Sequence, residues 1–240
     1  MEGIKEALEF VAGLKDTIHG RSLEKIDGRQ YSRGDLSPVR EPEPATLTVS
    51  TLTGLVDYVL ANPDALEMTT GCFLHVVSPS SVVLRSAEIG AFRQRIAHVE
   101  AKPEFGNTFP FGRHMPLADF IIGLNALFTD KGDRDQLVMD VAAIKVDAGA
   151  EIEDDGISQT VAVKAGARLM TTKKIEPRVT LHPFCTFQEI AQPARSFILR
   201  LDDKGQPGLF VADGEAWRGK TMLDIKDWLA DRLPEMNILA

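Results

Sequence analysis

The spacing of apolar residues changes repeatedly along this chain and never settles into one repeating unit. Ile4, Ala7, Leu8, Val11, Leu14 and Ile18 recur at helical spacing, and Gly20 stands where a left-handed residue would end that helix. From Thr46 a short strand alternates Leu47 and Val49 with threonines. Ser50 or Thr51 can then cap a helix that groups Leu52, Leu55, Val56, Val59 and Leu60 and stops at Asn62-Pro63. Residues 72–77 and 82–85 read as a β-hairpin around Ser78-Pro79-Ser80-Ser81. Residues 91–101 fit a helix through Phe92, Ile96 and Val99, but their place after the hairpin favours a third strand. Pro116 suits a first helical position ahead of the stripe Leu117, Phe120, Ile121, Leu124 and Phe128. A second helix over 133–144 places Leu137, Val138, Val141 and Ile144 inward.

The last third is strand-rich. Residues 160–163, 178–184, 196–201 and 209–212 alternate or run apolar, with a strong turn at 202–208. Met222, Ile225, Trp228 and Leu229 then make a terminal helix ended by Pro234. This order lacks the regular βαβ alternation of a doubly wound sheet. It predicts an α+β fold, a mainly antiparallel sheet with packed helices, preceded by an N-terminal helix and an extended arm.

Residues 21–44 hold ten charges, three prolines and two glycines with few apolar anchors, which reads as a surface arm or linker. The expected division is therefore 1–44, helix and arm, and 45–240, an α+β body. A helix joined to a body by such an arm is one way to build a homo-oligomer, and equally a plain appendage. A chain of 240 residues, 44% hydrophobic and 26% charged, can bury a large core and has no need of a metal or disulfide staple. No apolar run approaches the roughly 20 residues of a membrane helix, and no signal-peptide layout opens the chain. Cys72 and Cys185 read as separate buried thiols in a reducing compartment. A net charge of −8 argues against a protein coated in nucleic acid.

The usual phosphate loops, nucleophile elbow, H-E-x-x-H and C-x-x-C are all absent. His182 and Cys185 could pair as base and thiol, but strand spacing sets them on opposite faces, so a structural histidine beside a core cysteine is preferred. His75 reads as a half-buried sheet residue. The acidic stretch from Asp147 to Gly156 offers oxygen ligands, yet it does not match a calcium-loop register and reads as a solvated loop. No metal or cofactor is expected. Two places suit anions. The window 164–178 sets Lys164, Arg168, Lys173, Lys174 and Arg178 against Glu176 alone, a local net of +4. It could contact phosphates or simply guard a strand edge with lysines. Arg113 and His114 precede the helix that opens near Pro116, whose free N–H groups attract anions. Arg93, Arg95, His98 and Lys102 form a weaker basic cluster.

Several stretches together resemble an uncharacterised family encoded by tailed bacteriophages and prophages: 73–84, 92–95, 111–124, 154–166, 183–201 and 209–217. The similarity spans roughly residues 45–233 and is weaker over the N-terminal helix and arm. It implies an early-expressed phage gene near recombination and replication genes, and it carries no catalytic residues. Three functions follow as expectations. The first is a non-enzymatic homo-oligomer in the cytoplasm of the bacterial host, binding a host or phage component. Neutralising a defence would be one such role, by sequestering a host protein or a nucleotide ligand. The second is an accessory DNA-binding protein of phage recombination or replication, contacting single-stranded DNA through 164–178. The third is an enzyme of unfamiliar type using Cys185 with His182, or the acidic loop.

Overall fold

The computed structural model describes residues 2–19, 23–32, 44–90, 93–142, 151–154, 159–165, 168–175 and 177–240. The chain divides into two compact units, residues 1–45 with 86–96, and residues 46–85 with 97–240.

In the first unit, α1 (Glu2–His19) is followed by an antiparallel hairpin of β1 (Leu23–Ile26) and β2 (Arg29–Ser32). Asp27 and Gly28 turn it with φ of 50° and 81°. A two-residue turn of that kind needs both residues left-handed, and Asp-Gly supplies them. The arm expected over 21–44 thus contains a hairpin. Residues 3–11 of α1 are exposed throughout. In the 86–96 segment the Ser86 amide donates to the Ile96 carbonyl at 2.9 Å, and the Ile96 amide donates to Ser86 Oγ at 2.8 Å.

The second unit holds two cores. The first packs helices against a mixed sheet of β3 (Leu47–Val49), β4 (Cys72–Ser78), β5 (Ser81–Ser86), β6 (Ala97–Ala101) and β14 (Ile238–Leu239), ordered β14-β4-β5-β6-β3. The β14/β4 and β3/β6 pairs are parallel, and β5/β6 is antiparallel. Residues 97–101 therefore form the strand preferred from the sequence. On this sheet lies α2 (Leu52–Ala61), opened by Thr51, whose Oγ1 accepts from the Gly54 amide at 3.0 Å, and closed by left-handed Asn62. Leu52, Leu55, Val56 and Val59 are buried, but Leu60 is 67% exposed and leaves the expected stripe. The short α3 (Met68–Gly71) leads into β4. Ile225 and Leu229 of α6 (Trp217–Arg232) complete this core with Phe187 and Ile190.

The second core lies under an antiparallel sheet of β7 (Phe128–Gly132), β11 (Arg178–Pro183), β12 (Arg195–Leu201) and β13 (Pro207–Val211), ordered β13-β12-β11-β7. Its inner face meets α4 (Leu117–Leu127) and α5 (Arg134–Ala142) through buried Phe120, Leu124, Leu137 and Val141. Phe128, expected on the helical stripe, instead begins β7 and is buried from the strand. Ile144 lies outside the described residues. Between α5 and β11 runs a third sheet of β8 (Glu151–Asp154), β9 (Gln159–Ala165) and β10 (Arg168–Ile175), ordered β10-β9-β8. The acidic stretch expected as a loop thus carries a strand. Glu151 and Glu153 pair with Ala162 and Thr160, positions a loop reading leaves unpaired. Helices beside mostly antiparallel sheets make this an α+β protein. Among the described residues, no helix is long and apolar enough to cross a membrane.

Candidate functional site

The β7–β11–β12–β13 sheet has one core face and one outer face, and strand parity decides what each carries. Along β11, Val179 and Leu181 are buried, whereas Arg178 and Thr180 are exposed and His182 is half-buried. Along β12, Phe197, Leu199 and Leu201 turn inward, leaving Ser196, Ile198 and Arg200 outward. On β13, Leu209 is buried and Phe210 is half-buried on the other side. Register places Arg178, Ile198 and Phe210 in one row and Arg200 and Gly208 in the next.

Residues 111–115 extend this sheet beyond β13. The Gly112 amide donates to the Leu209 carbonyl at 2.8 Å, the Met115 amide donates to the Pro207 carbonyl at 3.0 Å, and His114 bridges Gly208. Gly208 permits the approach, because a Cβ there would lie 2.8 Å from the Arg113 carbonyl oxygen. The His114 ring meets Phe210 edge-on, with centroids 5.5 Å apart. Arg113 and His114 are exposed, but they ride on a sheet edge, three or four residues ahead of α4. Asp119 in the first turn of α4 already complements that helix's positive end. Of the residues expected to meet anions, His114 and Arg178 therefore come onto one sheet face.

The rest of the basic window is placed by backbone alone. Lys164 lies on β9 and Arg168, Lys173 and Lys174 on β10, an edge strand. Lys173 and Lys174 pair with Val161 and Thr160, and consecutive strand positions alternate between faces. In the weaker cluster, Arg93 Nε and Arg95 Nη2 meet the Glu88 carboxylate at 2.7 and 3.4 Å. Among the described residues, no group of three or more histidine, cysteine or carboxylate side chains is poised to hold a metal. A groove of about 300 Å³ runs along α4, lined by Phe109, Met115, Asp119, Ile122, Gly123 and Leu127 among others.

Sequence reasoning missed a buried ion pair. Arg195 Nε donates to Asp213 Oδ2 at 2.7 Å, each side chain being only 10% exposed. The guanidinium also lies over Trp217 at 4.9 Å and Phe197 at 5.4 Å, two cation–π contacts. Burial raises the Asp213 carboxyl, but hydrogen bonds from Arg195 and the Glu215 amide, with the charge of Arg195, hold it below its usual value. Cys185 lies nearby, past the end of β11. Burial pushes its thiol up to about 11, Arg195 pulls it down and Asp213 pushes it further up. His182 Nδ1 lies 2.9 Å from the Gln192 carbonyl oxygen, and Gln192 Oε1 accepts from the Cys185 and Thr186 amides at 2.9 and 3.2 Å. Gln192 thus ties the end of β11 to the loop that follows it, and the Cys185 thiol stays protonated at neutral pH.

Compared with known proteins, no family model, no curated protein and no solved structure matches this chain.

Proposed function

We propose that this chain is a non-enzymatic, self-associating protein of tailed-phage type that binds a host or phage component in the bacterial cytoplasm, counter-defence being one role that fits. The observation that carries the reading is the exposed apolar stripe of α1, where Ile4, Leu8 and Val11 are 67, 64 and 58% exposed. These residues recur at i, i+4 and i+7, the spacing of a helix seam that seeks a partner. Helices in proteins draw most of their stability from packing an amphipathic face, so covering that stripe stabilises both the helix and the assembly. The raised Cys185 thiol supports a binding role over thiol chemistry.

Light scattering on the full chain and on a form lacking residues 1–44 tests this. The expected result is an assembly for the full chain and a smaller mass without α1. A monomer in both forms contradicts it.

One observation favours a second reading, an accessory DNA-binding protein of phage recombination or replication. Arg178, from the basic window, and His114 share a sheet face with Arg200 and Phe210.

A further inference from the structure

We infer that the outer face of the β7–β11–β12–β13 sheet is a binding surface for single-stranded nucleic acid, with Phe210 as the base-stacking ring and Arg178 and Arg200 as phosphate contacts. The inference rests on the DNA-binding reading above and moves its centre from the lysines of β10 to this face.

Three features of the face converge. Its outward positions on β11, β12 and β13 are Arg178, Thr180, His182, Ser196, Ile198, Arg200, Gly208 and Phe210, a run without a carboxylate in a chain of net charge −8. Asp133, just after β7, and Asp202, just after β12, are engaged by backbone amides, whereas Asp130 on the edge strand β7 is exposed. Asp133 Oδ2 accepts from the Thr180 amide at 2.7 Å, and Asp202 Oδ1 accepts from the Lys204 and Gln206 amides at 2.9 and 2.7 Å. Positive charge is therefore concentrated on one sheet surface while the molecule as a whole is acidic, the complementarity a polyanion needs.

The second feature is Phe210. Leu209 fills the inner face at that point, so Phe210 adds nothing to the core below it. It is half-buried on the outer side, with the His114 ring 5.5 Å away and inclined at 61°, a contact that steadies the ring. Aromatic rings on a sheet surface stack unpaired bases, and every base has such a face.

The third feature is spacing. Arg178 lies two strands from Phe210 in the same row, about 9.6 Å away by strand separation. Arg200 is a diagonal neighbour of Phe210 on the adjacent strand, about 7–8 Å away. A base on Phe210 would set its own backbone within reach of both guanidiniums. Arg200 already has an interaction within the protein, and a guanidinium carries further N–H donors for phosphate. Duplex DNA keeps its bases stacked inside and cannot use the ring, which commits the surface to single strands.

The test is fluorescence anisotropy of the full chain with a labelled oligothymidine of about 20 nucleotides and a duplex of equal length, at about 50 and 200 mM salt. Variants are Arg178→Ala with Arg200→Ala, Phe210→Leu, and Lys173→Glu with Lys174→Glu, each checked for folding by thermal melting. The expected result is salt-sensitive binding that favours the single strand. Losing two phosphate contacts lowers the slope of log affinity against log salt by about 1.4. Phe210→Leu weakens binding about tenfold with the slope unchanged. The exposed Arg178→Ala alone, a surface change that leaves the core untouched, still lowers the slope by about 0.7. No binding by the unaltered chain overturns both this inference and the DNA-binding reading. Binding that survives the Arg178, Arg200 and Phe210 changes but falls with the lysine changes overturns this inference and leaves that reading standing. Equal affinity for duplex, indifferent to Phe210→Leu, also overturns it.

Discussion

Arg195 holds the parity of Phe197, Leu199 and Leu201 on β12, so a charged side chain points where its strand neighbours are buried. Asp213 compensates it, and removing one partner of such a pair leaves the other charge buried and unmatched. Asp213→Asn should therefore cost about 3 kcal/mol at neutral pH, measured by denaturant unfolding. The sign of its pH dependence follows from the lowered carboxyl. A carboxylate held below its usual value of 3.8 contributes stability that is complete above that value and is lost as pH falls through the lower folded one. The gap between the two proteins should then close in acid. A gap that persists unchanged below about pH 2 would contradict the ion-pair account. The parity of the RSFILRL stretch put Arg195 inward for anyone reading the strand by alternation, but nothing in the sequence paired it with Asp213, eighteen residues on. Cys185 obeys a second residue-scale rule. With its thiol pushed up to about 11, alkylation of the native protein by iodoacetamide should be slow near neutrality and still rising with pH above 9 or so. A rate that levels off below about pH 8 would mark an activated thiolate instead.

Elements were legible where a period ran long enough and terminators were explicit. The α2 helix is the clearest case, since Thr51 and Asn62 perform the capping that their residue types announce. Asp27-Gly28 carried an equally strong hairpin signal, but the charges and prolines around it masked the pattern. Phe128 shows a different limit. It continues the helical spacing of α4, yet the helix stops at Leu127 and the same apolar residue serves a strand, because burial rewards either conformation. Where β7 ends, Gly132 has φ of +69° and an added Cβ would sit 2.3 Å from the Thr180 carbonyl oxygen. Gly132→Ala should lower stability by more than 1 kcal/mol or so and loosen β7 from β11, whereas Gly106→Ala, with open space around it, should be nearly neutral. Thermal melting of the two variants checks this, and equal melting temperatures would remove the argument. The outer sheet face was half legible in the same sense. Arg178 and His114 stood out as anion-binding candidates, while Arg200 and Phe210 stayed hidden because only the pairing of β11, β12 and β13 brings them alongside.

At the scale of the molecule, an average charge says little about any one surface. The acidic positions Glu151 and Glu153 lie on β8 and the lysines 173 and 174 on β10, with β9 between them, so opposite edges of one small sheet carry opposite charge. The outer face of the four-stranded sheet, with Arg178 and Arg200, is a further departure from the mean. Neither feature declares itself in a total of −8. The same holds for hydrophobicity, which is ordinary overall yet includes a stripe of exposed apolar residues on α1. Burying a Leu or Val side chain contributes about 1.5–3 kcal/mol, which three such residues in each copy would set against the cost of association. Self-association through α1 is the central claim, and sedimentation equilibrium of the full chain beside Leu8→Glu with Val11→Glu tests it most directly. The unaltered chain should sediment as a multiple of 26.3 kDa that dissociates on dilution, and the double variant as 26.3 kDa. A single 26.3 kDa species for the unaltered chain at every concentration, or an assembly untouched by the two glutamates, would contradict it.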